Sequence, residues 1–260
     1  MNRLAIHESA APDLSPTELV DLAKLAGFDS VGLKVAHSRG ADRWWRKGAG
    51  SAELGSTVEH LLTNRVSVLD VGRIELGGPP NAESYRSVLD LSSRFGARYV
   101  TAGAVPRSAQ SEAFPELFAQ LVADCDDYQL IPLLVPLPGT VVTTTTQALD
   151  VVRVHGGGIV LDISTGLSAF DIETQVLEAG NRLGYLRLHT EDLDGLTEEV
   201  AAGLLATVPV HVPIAVGSNS DSKPAGDLTA NAHEWSRLID RMLEHPLARA
   251  KRLGSTGTTS

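Results

Sequence analysis

One cysteine, Cys125, stands in a chain of 260 residues. A single thiol can neither close an internal disulfide nor build a thiolate metal cluster. In "LVADCDDY" it reads as a buried structural thiol near the end of a helix. Basic runs are also missing. The chain carries 22 Lys and Arg against 32 Asp and Glu, a net charge of −10. Such a surface repels nucleic acid and anionic membranes unless one face is locally basic. No run of about 18 apolar residues suggests a membrane span. The opening "MNRLAIHESAAP" lacks the basic-then-apolar pattern of a signal peptide. These absences predict a reduced, soluble, cytoplasmic protein without nucleic-acid or membrane partners. What is present is ordinary globular composition, 43% hydrophobic and 21% charged.

Short apolar runs alternate with helical patterns along the chain. The spacing predicts strands over 4–8, 30–35, 66–76, 98–105, 130–136, 158–163, 185–189 and 210–216. It predicts helices over 15–27, 56–64, 82–96, 113–128, 145–156, 170–184, 196–207 and 232–245. The first helix is the best marked: a Ser cap, Pro at the first helical position, Glu three residues after the cap and a terminal Gly. Eight strand–helix units imply a parallel sheet, and in this length they favour a closed (β/α)₈ TIM barrel over an open sheet. One barrel domain over 1–250 is expected, with the Gly/Ser/Thr-rich 251–260 as a disordered tail.

In such a barrel the active site lies at the C-terminal ends of the strands. The polar residues there are His7 and Glu8, Lys34 with His37 just beyond, Asp70, Arg73 and Glu75, Asp162, and Arg187, His189, Glu191 and Asp192. Side chains alternate along a strand, so Asp162 and His189 face inward. At a solvent-accessible mouth they are either catalytic or a pair that only stabilises the barrel. Arg187 lies one layer below His189, where a core guanidinium needs a partner; Asp162 on the neighbouring strand is the obvious one. Lys34 is either a solvated lysine or a group that binds an anion or acts as a base; His7 and His37 are weaker cases of the same kind. His60, His155, His233 and His245 fall on helices and are assigned to surface or capping roles. The loop "SRGADRWWRKGAG" (38–50) carries Trp44 and Trp45 among basic residues. It reads as packing against the barrel or as a lid stacking on substrate. "GSNSDSKPAGD" (217–227) reads as a flexible loop rather than a phosphate grip.

The segments "LVDLAKLAGFDSVGLKV" (19–35), "VSVLDVGRIEL" (66–76), "LLVPLPGTVVTTTTQALDVV" (133–152), "IVLDISTGL" (159–167) and "YLRLHTED" (185–192) follow one another in an order and spacing that resembles the xylose-isomerase-like barrel family, the sugar phosphate isomerases and epimerases. The resemblance implies a divalent cation held by a Glu on strand five, an Asp on strand six, a His on strand seven and a Glu on strand eight. Here Val135 stands at the first position and Asp162 at the second. Matching the "HxxD" ending puts His189 at the third, while matching the preceding Tyr puts Arg187 there. Ala215 or Val216 stands at the fourth, and the His expected three residues after the Asp is Thr165. Hard cations want several oxygen ligands, and this set has lost them. The expectation is therefore no metal and no cofactor; zinc completed by Glu191 or His37 is the remaining metal alternative.

These residues predict a metal-independent isomerase, epimerase or related lyase (dehydratase) that moves a proton next to a carbonyl of a small hydroxylated substrate. His189 is the expected acid/base, oriented by Asp162, with Lys34 or His37 stabilising the enolate. His7, Arg73, Trp44, Trp45 and Arg187 are the expected substrate contacts. The alternative is a non-catalytic barrel that binds a small molecule or a partner. The sequence is compatible with a homo-oligomer.

Overall fold

The computed structural model describes residues 2–34, 52–77, 82–105, 113–163, 169–193, 206–218 and 227–245. Eight parallel strands close into a barrel in chain order: β1 (Leu4–His7), β2 (Ser30–Lys34), β3 (Ser67–Leu76), β4 (Tyr99–Ala104), β5 (Ile131–Leu134), β6 (Gly158–Ile163), β7 (Leu183–His189) and β8 (Ile214–Gly217). The described helices are α1 (Pro16–Ala26), α2 (Ala52–Asn64), α3 (Ala82–Arg94), α4 (Phe114–Asp126), α5 (Thr145–His155), α6 (Ala169–Ala179), the single turn α7 (Thr190–Leu193) and α8 (Leu228–Glu244). The architecture is the TIM barrel expected from the alternating pattern.

Local chemistry explains the element ends. Ser15 and Glu18 form a capping box at the start of α1, and Gly27 ends the helix in the left-handed region at φ 87°. Thr144 and Gln147 repeat the box at α5. The helix expected at 232–245 begins four residues earlier, because the Asp227 carboxylate accepts from the N–H groups of Thr229 and Ala230. Strand eight begins at Ile214 rather than residue 210. Val212 N–H donates to Pro209 O, and the Asn2 side chain donates to both Pro209 O and Val212 O, so 209–212 is a turn. Strand seven begins two residues earlier than expected, because α6 stops at Ala179 and a 3₁₀ turn over Gly180–Arg182 leads straight into it. Of the helix expected at 196–207, residues 196–205 lie outside the described residues, and 206–207 lie in a turn. The tail 251–260 also lies outside them.

Alternation divides the strands between two cores. Outward residues such as Val31, Val100, Leu134, Leu161, Leu186, Leu188 and Val216 pack under the helices. Inside the barrel, Ala5, Leu69, Tyr99, Leu133, Val135, Val160, Tyr185 and Ala215 form a separate apolar plug. Such a filled lumen is the rule for eight strands, and it leaves the mouth above it for chemistry. The buried Cys125 belongs to the outer core; burial, aided by Asp124 and Asp126, pushes its thiol up to about 12, so it is an inert structural group.

One irregularity positions the site. Val31 pairs with Val68 but Gly32 pairs with Asp70, so Leu69 is an extra residue in β3. The bulge turns both Leu69 and Asp70 inward, which strict alternation would forbid.

Candidate active site

The mouth is built from the last inward residues of the strands. On β7, Tyr185, Arg187 and His189 rise one above another. Arg187 lies opposite Asp162 of β6 in the strand register. Its Nε donates to Asp162 Oδ1 at 2.6 Å and its second terminal nitrogen to Oδ2 at 2.8 Å, a bidentate pair. Burial opposes the charge on Asp162, but the Arg187 guanidinium, with help from His189, more than offsets it and holds the carboxyl well below the usual range. Arg187 is in turn held protonated: burial works against its charge, and Asp162 overcomes that.

His189 differs from the mouth residue expected. Its side chain is only 1% exposed. The chain turns into α7 at Thr190, α7 packs against β7, and the Glu191 carboxylate accepts from Ser218 Oγ. Nε2 of His189 lies 3.5 Å from Asp162 Oδ1. That contact is electrostatic, and neither ring nitrogen has a hydrogen-bond partner. Asp162 therefore supplies His189 with a nearby negative charge but does not clamp its ring. A buried polar group without partners is costly, and where one persists it calls for an occupant or a role.

A second cluster lies beneath β1, β2 and β3. Asp70 is fully buried; its Oδ2 accepts from Tyr185 Oη at 3.1 Å across the lumen, while its Oδ1 has no hydrogen-bond partner. Burial chiefly, together with Asp70, raises the Tyr185 hydroxyl well above its ordinary pKa and keeps it a donor. His7 Nε2 lies 3.7 Å from Asp70 Oδ2. His7 Nδ1 lies 3.0 Å from Ser9 Oγ and accepts from Ser9 N–H at 3.2 Å. His7 and Asp70 sit on strands either side of β2, and they approach only because residue 32 is glycine. A Cβ there would be 2.3 Å from His7 Cδ2 and 2.5 Å from Asp70 Oδ1. Gly32→Ala is expected to cost about 1–3 kcal/mol of stability, as overpacking of a filled interior does. Urea denaturation checks this; a midpoint equal to the parent's would mean that the two side chains move aside freely.

The remaining candidates are spread around the rim. Lys34 ends β2, with Nζ 3.7 Å from Glu8 Oε1. Burial raises the Glu8 carboxyl, partly countered by His7 and Lys34. Arg73 is exposed and reaches Glu75 at 3.5 Å; its aliphatic stem lies where a Cβ on Gly103 would fall. His37, Trp44 and Trp45 lie outside the described residues. On α2, His60 is 3.0 Å from Asp21 of α1, away from the mouth. Ser9 and Tyr185 are residues that sequence reasoning left out of the site, and Asp70 was named among the polar strand residues there without a role. An acid in the middle of the apolar run "VSVLDVG" was the available signal for Asp70.

The positions that the family resemblance assigns to a cation do not fit one. Val135 and Ala215 belong to the apolar plug, and Val216 points outward under the helices. Asp162 remains, but both its oxygens accept from Arg187. A divalent cation about 5 Å from that guanidinium would meet roughly 7 kcal/mol of repulsion at an effective dielectric of about 20. Among the described residues, no three His, Cys, Asp or Glu side chains gather as a ligand set.

No protein-family model and no curated protein matches the chain. Solved structures do. A xylose isomerase domain protein from Alicyclobacillus acidocaldarius subsp. acidocaldarius superposes with a TM-score of 0.71 at 14% identity, covering 95% of this chain and 99% of that one. An L-ribulose 3-epimerase gives 0.69 at 15% identity over the whole of both chains. IolI protein, described with a bound zinc atom, gives 0.66 at 14% identity over 96% of this chain and 99% of its own. The fold is thus the xylose-isomerase-like TIM barrel, a fold shared with sugar epimerases.

Proposed function

We propose that this barrel is an isomerase, epimerase or related lyase that moves a proton on the carbon next to a carbonyl of a small hydroxylated substrate, without a metal. The observation that carries the reading is His189: a buried imidazole at the end of an inward strand, with neither nitrogen engaged, beside a carboxylate held ionised by Arg187. Neutral imidazole can take and return a proton near neutral pH. Lys34, at the end of β2, is the group assigned to the developing enolate oxygen. Arg73 and His7 are assigned to the substrate's polar groups. Arg187 acts through Asp162. The epimerases among the structural neighbours support the reaction class.

A second reading, a non-catalytic binding barrel, draws support from a different observation. Three of the cations pair with carboxylates of the same chain: Arg187 with Asp162, Lys34 with Glu8 and Arg73 with Glu75. Solvent exchange separates the two readings. The protein, treated with a chelator and then incubated in D₂O with free and phosphorylated ketopentoses and ketohexoses, is expected to place deuterium next to the carbonyl of at least one. Binding without exchange across the panel would support the binding barrel and end the enzyme reading. Before any chelator is added, elemental analysis of the purified protein is expected to find no stoichiometric divalent cation; about one Mn, Mg or Zn per chain, lost together with activity on chelation, would overturn metal independence.

A further inference from the structure

Both ring nitrogens of His7 are directed at groups of the protein. The ring lies over Gly32, where a Cβ would be 2.3 Å from Cδ2. Nε2 faces Asp70, 3.7 Å from Oδ2. Nδ1 accepts from Ser9 N–H at 3.2 Å and lies 3.0 Å from Ser9 Oγ. An N–H donated to Nδ1 requires a lone pair there, so neutral His7 carries its proton on Nε2, toward the carboxylate. The route from this imidazole to a bound molecule therefore runs through the part-buried Ser9, whose hydroxyl stands on the basic nitrogen.

Hydroxyl, imidazole and acid thus stand in series as Ser9, His7 and Asp70. An acid that holds the tautomer and an imidazole that takes the hydroxyl proton are the parts of an activated serine; here the two ring nitrogens exchange the roles they have in serine hydrolases. Asp70 is itself fixed, since it is fully buried and its Oδ2 accepts from Tyr185 Oη at 3.1 Å. At 3.7 Å it acts on His7 through its charge rather than through a hydrogen bond. Ser218 N–H donates to Ser9 Oγ at 2.9 Å. That dipole stabilises negative charge as it develops on the oxygen, and it leaves the hydroxyl proton to point at Nδ1. Gly217 gives Ser9 its room: a Cβ there would lie 3.0 Å from Oγ. Lys34, on the strand beside β1 and 3.7 Å from Glu8, brings a cation to the same part of the rim.

We infer that Ser9 is a nucleophile and that the mouth carries a second activity, hydrolysis of a small carboxylic ester or lactone. Ser9 Oγ bonds to the carbonyl carbon while its proton passes to His7 Nδ1, and the carbonyl π pair moves onto the carbonyl oxygen, which Lys34 faces. That pair then re-forms the C=O bond and expels the alkoxide, which takes the proton from Nδ1 and becomes an alcohol. Water repeats the sequence on the acyl-Ser9: its proton goes to Nδ1, its oxygen bonds to the carbonyl carbon, and Ser9 leaves and regains its proton. The sum is ester plus water giving acid plus alcohol, with no oxidant and no other reactant. Ser9 and His7 are the catalytic residues, and Asp70 is a positioning residue that acts through His7. No step passes through His189, so the activity is separate from the proton transfer proposed above.

The test treats the full chain with a fluorophosphonate probe and follows hydrolysis of p-nitrophenyl acetate and D-glucono-1,5-lactone. Peptide mass spectrometry is expected to find the phosphonyl adduct on Ser9, with hydrolysis lost in proportion to labelling. Ser9→Ala should abolish the adduct, and His7→Gln should slow labelling and hydrolysis by on the order of 100-fold. His7→Asn serves if the Gln variant does not fold. Nitrogen-15 NMR of the parent should show His7 as the Nε2–H tautomer. Asp70→Ala should mix the two tautomers and slow labelling. Asp70→Asn, which keeps an oxygen facing Nε2, should restore the tautomer and part of the rate, a rescue that a merely structural role for Asp70 would not produce. No adduct on Ser9, or hydrolysis at the parental rate in Ser9→Ala, would overturn the inference. Labelling of Ser9 at the parental rate in the His7 variants would also overturn it, since His7 would then not be its base. Ketose exchange in D₂O reads the His189 chemistry independently, so either activity can fail while the other stands.

Discussion

Replacing His189 by Gln is expected to slow turnover by roughly 10²–10⁴-fold while leaving substrate affinity nearly unchanged. Gln keeps a polar side chain of similar reach but cannot shuttle a proton near neutral pH. The loss should therefore fall on the transition state, lowering kcat and kcat/KM together. The buried setting sharpens the test. His189 makes no hydrogen bond in the structure, so the substitution removes none, and the fold has little reason to weaken. Turnover, solvent-deuterium exchange and the melting temperature are measured on the same preparation. Parental turnover and exchange in both His189→Gln and Asp162→Asn would make His189 a structural histidine and remove the proposed chemistry. A rise in KM with kcat intact would assign it to substrate binding instead.

Arg187→Leu should be the most destabilising single change at the mouth, costing about 3–5 kcal/mol at pH 7. The penalty comes less from the lost attraction than from the Asp162 charge left buried and unpaired. Its pH dependence follows from the direction of the shift. Asp162 is depressed in the folded protein, so its contribution is fully present above the unfolded carboxyl value near 3.9 and is lost as pH falls toward its own lower value. In the variant, Asp162 has no cation beside it and takes up a proton more readily, which relieves the unpaired charge in acid. The gap between parent and variant should thus be largest at neutral pH and narrow below about pH 4. Urea denaturation at several pH values reads it directly. The Arg187→Leu/Asp162→Leu double variant should recover much of the loss, because it removes both charges and leaves apolar groups. A single-variant penalty under about 1 kcal/mol at pH 7 would mean that water reaches Asp162 and solvates it.

How much of this was legible in the sequence can be judged residue by residue. Alternation put Tyr185, Arg187 and His189 on one face of β7 and Asp162 on the same side of β6, and strand adjacency then paired Arg187 with Asp162. Those are local or nearest-neighbour properties with a period of two, so a reader of the sequence can count them. The same counting named Asp70 among the polar strand residues but could not set it against Tyr185. The bulge at Leu69 breaks the period, and a bulge has no signature in "VSVLDVG". Ser9 and Gly217 were also unmarked, since a serine and a glycine near strand ends are commonplace until the neighbouring strand is in place.

By itself the sequence determined the class of fold, most of the strands and helices, and the apolar residues Val135 and Ala215 or Val216 at the positions where the resemblance implies carboxylates. Each follows from short-range periodicity, caps or the identity of one residue at one position. Only the tertiary structure decided that His189 is buried with both nitrogens unengaged, that both oxygens of Asp162 are occupied by Arg187, and that His7 meets Asp70 across Gly32. Those facts depend on register, and register is set by closure of the whole barrel. His7 and Asp70 are 63 positions apart in the chain and approach each other only when β2 pairs with both β1 and β3.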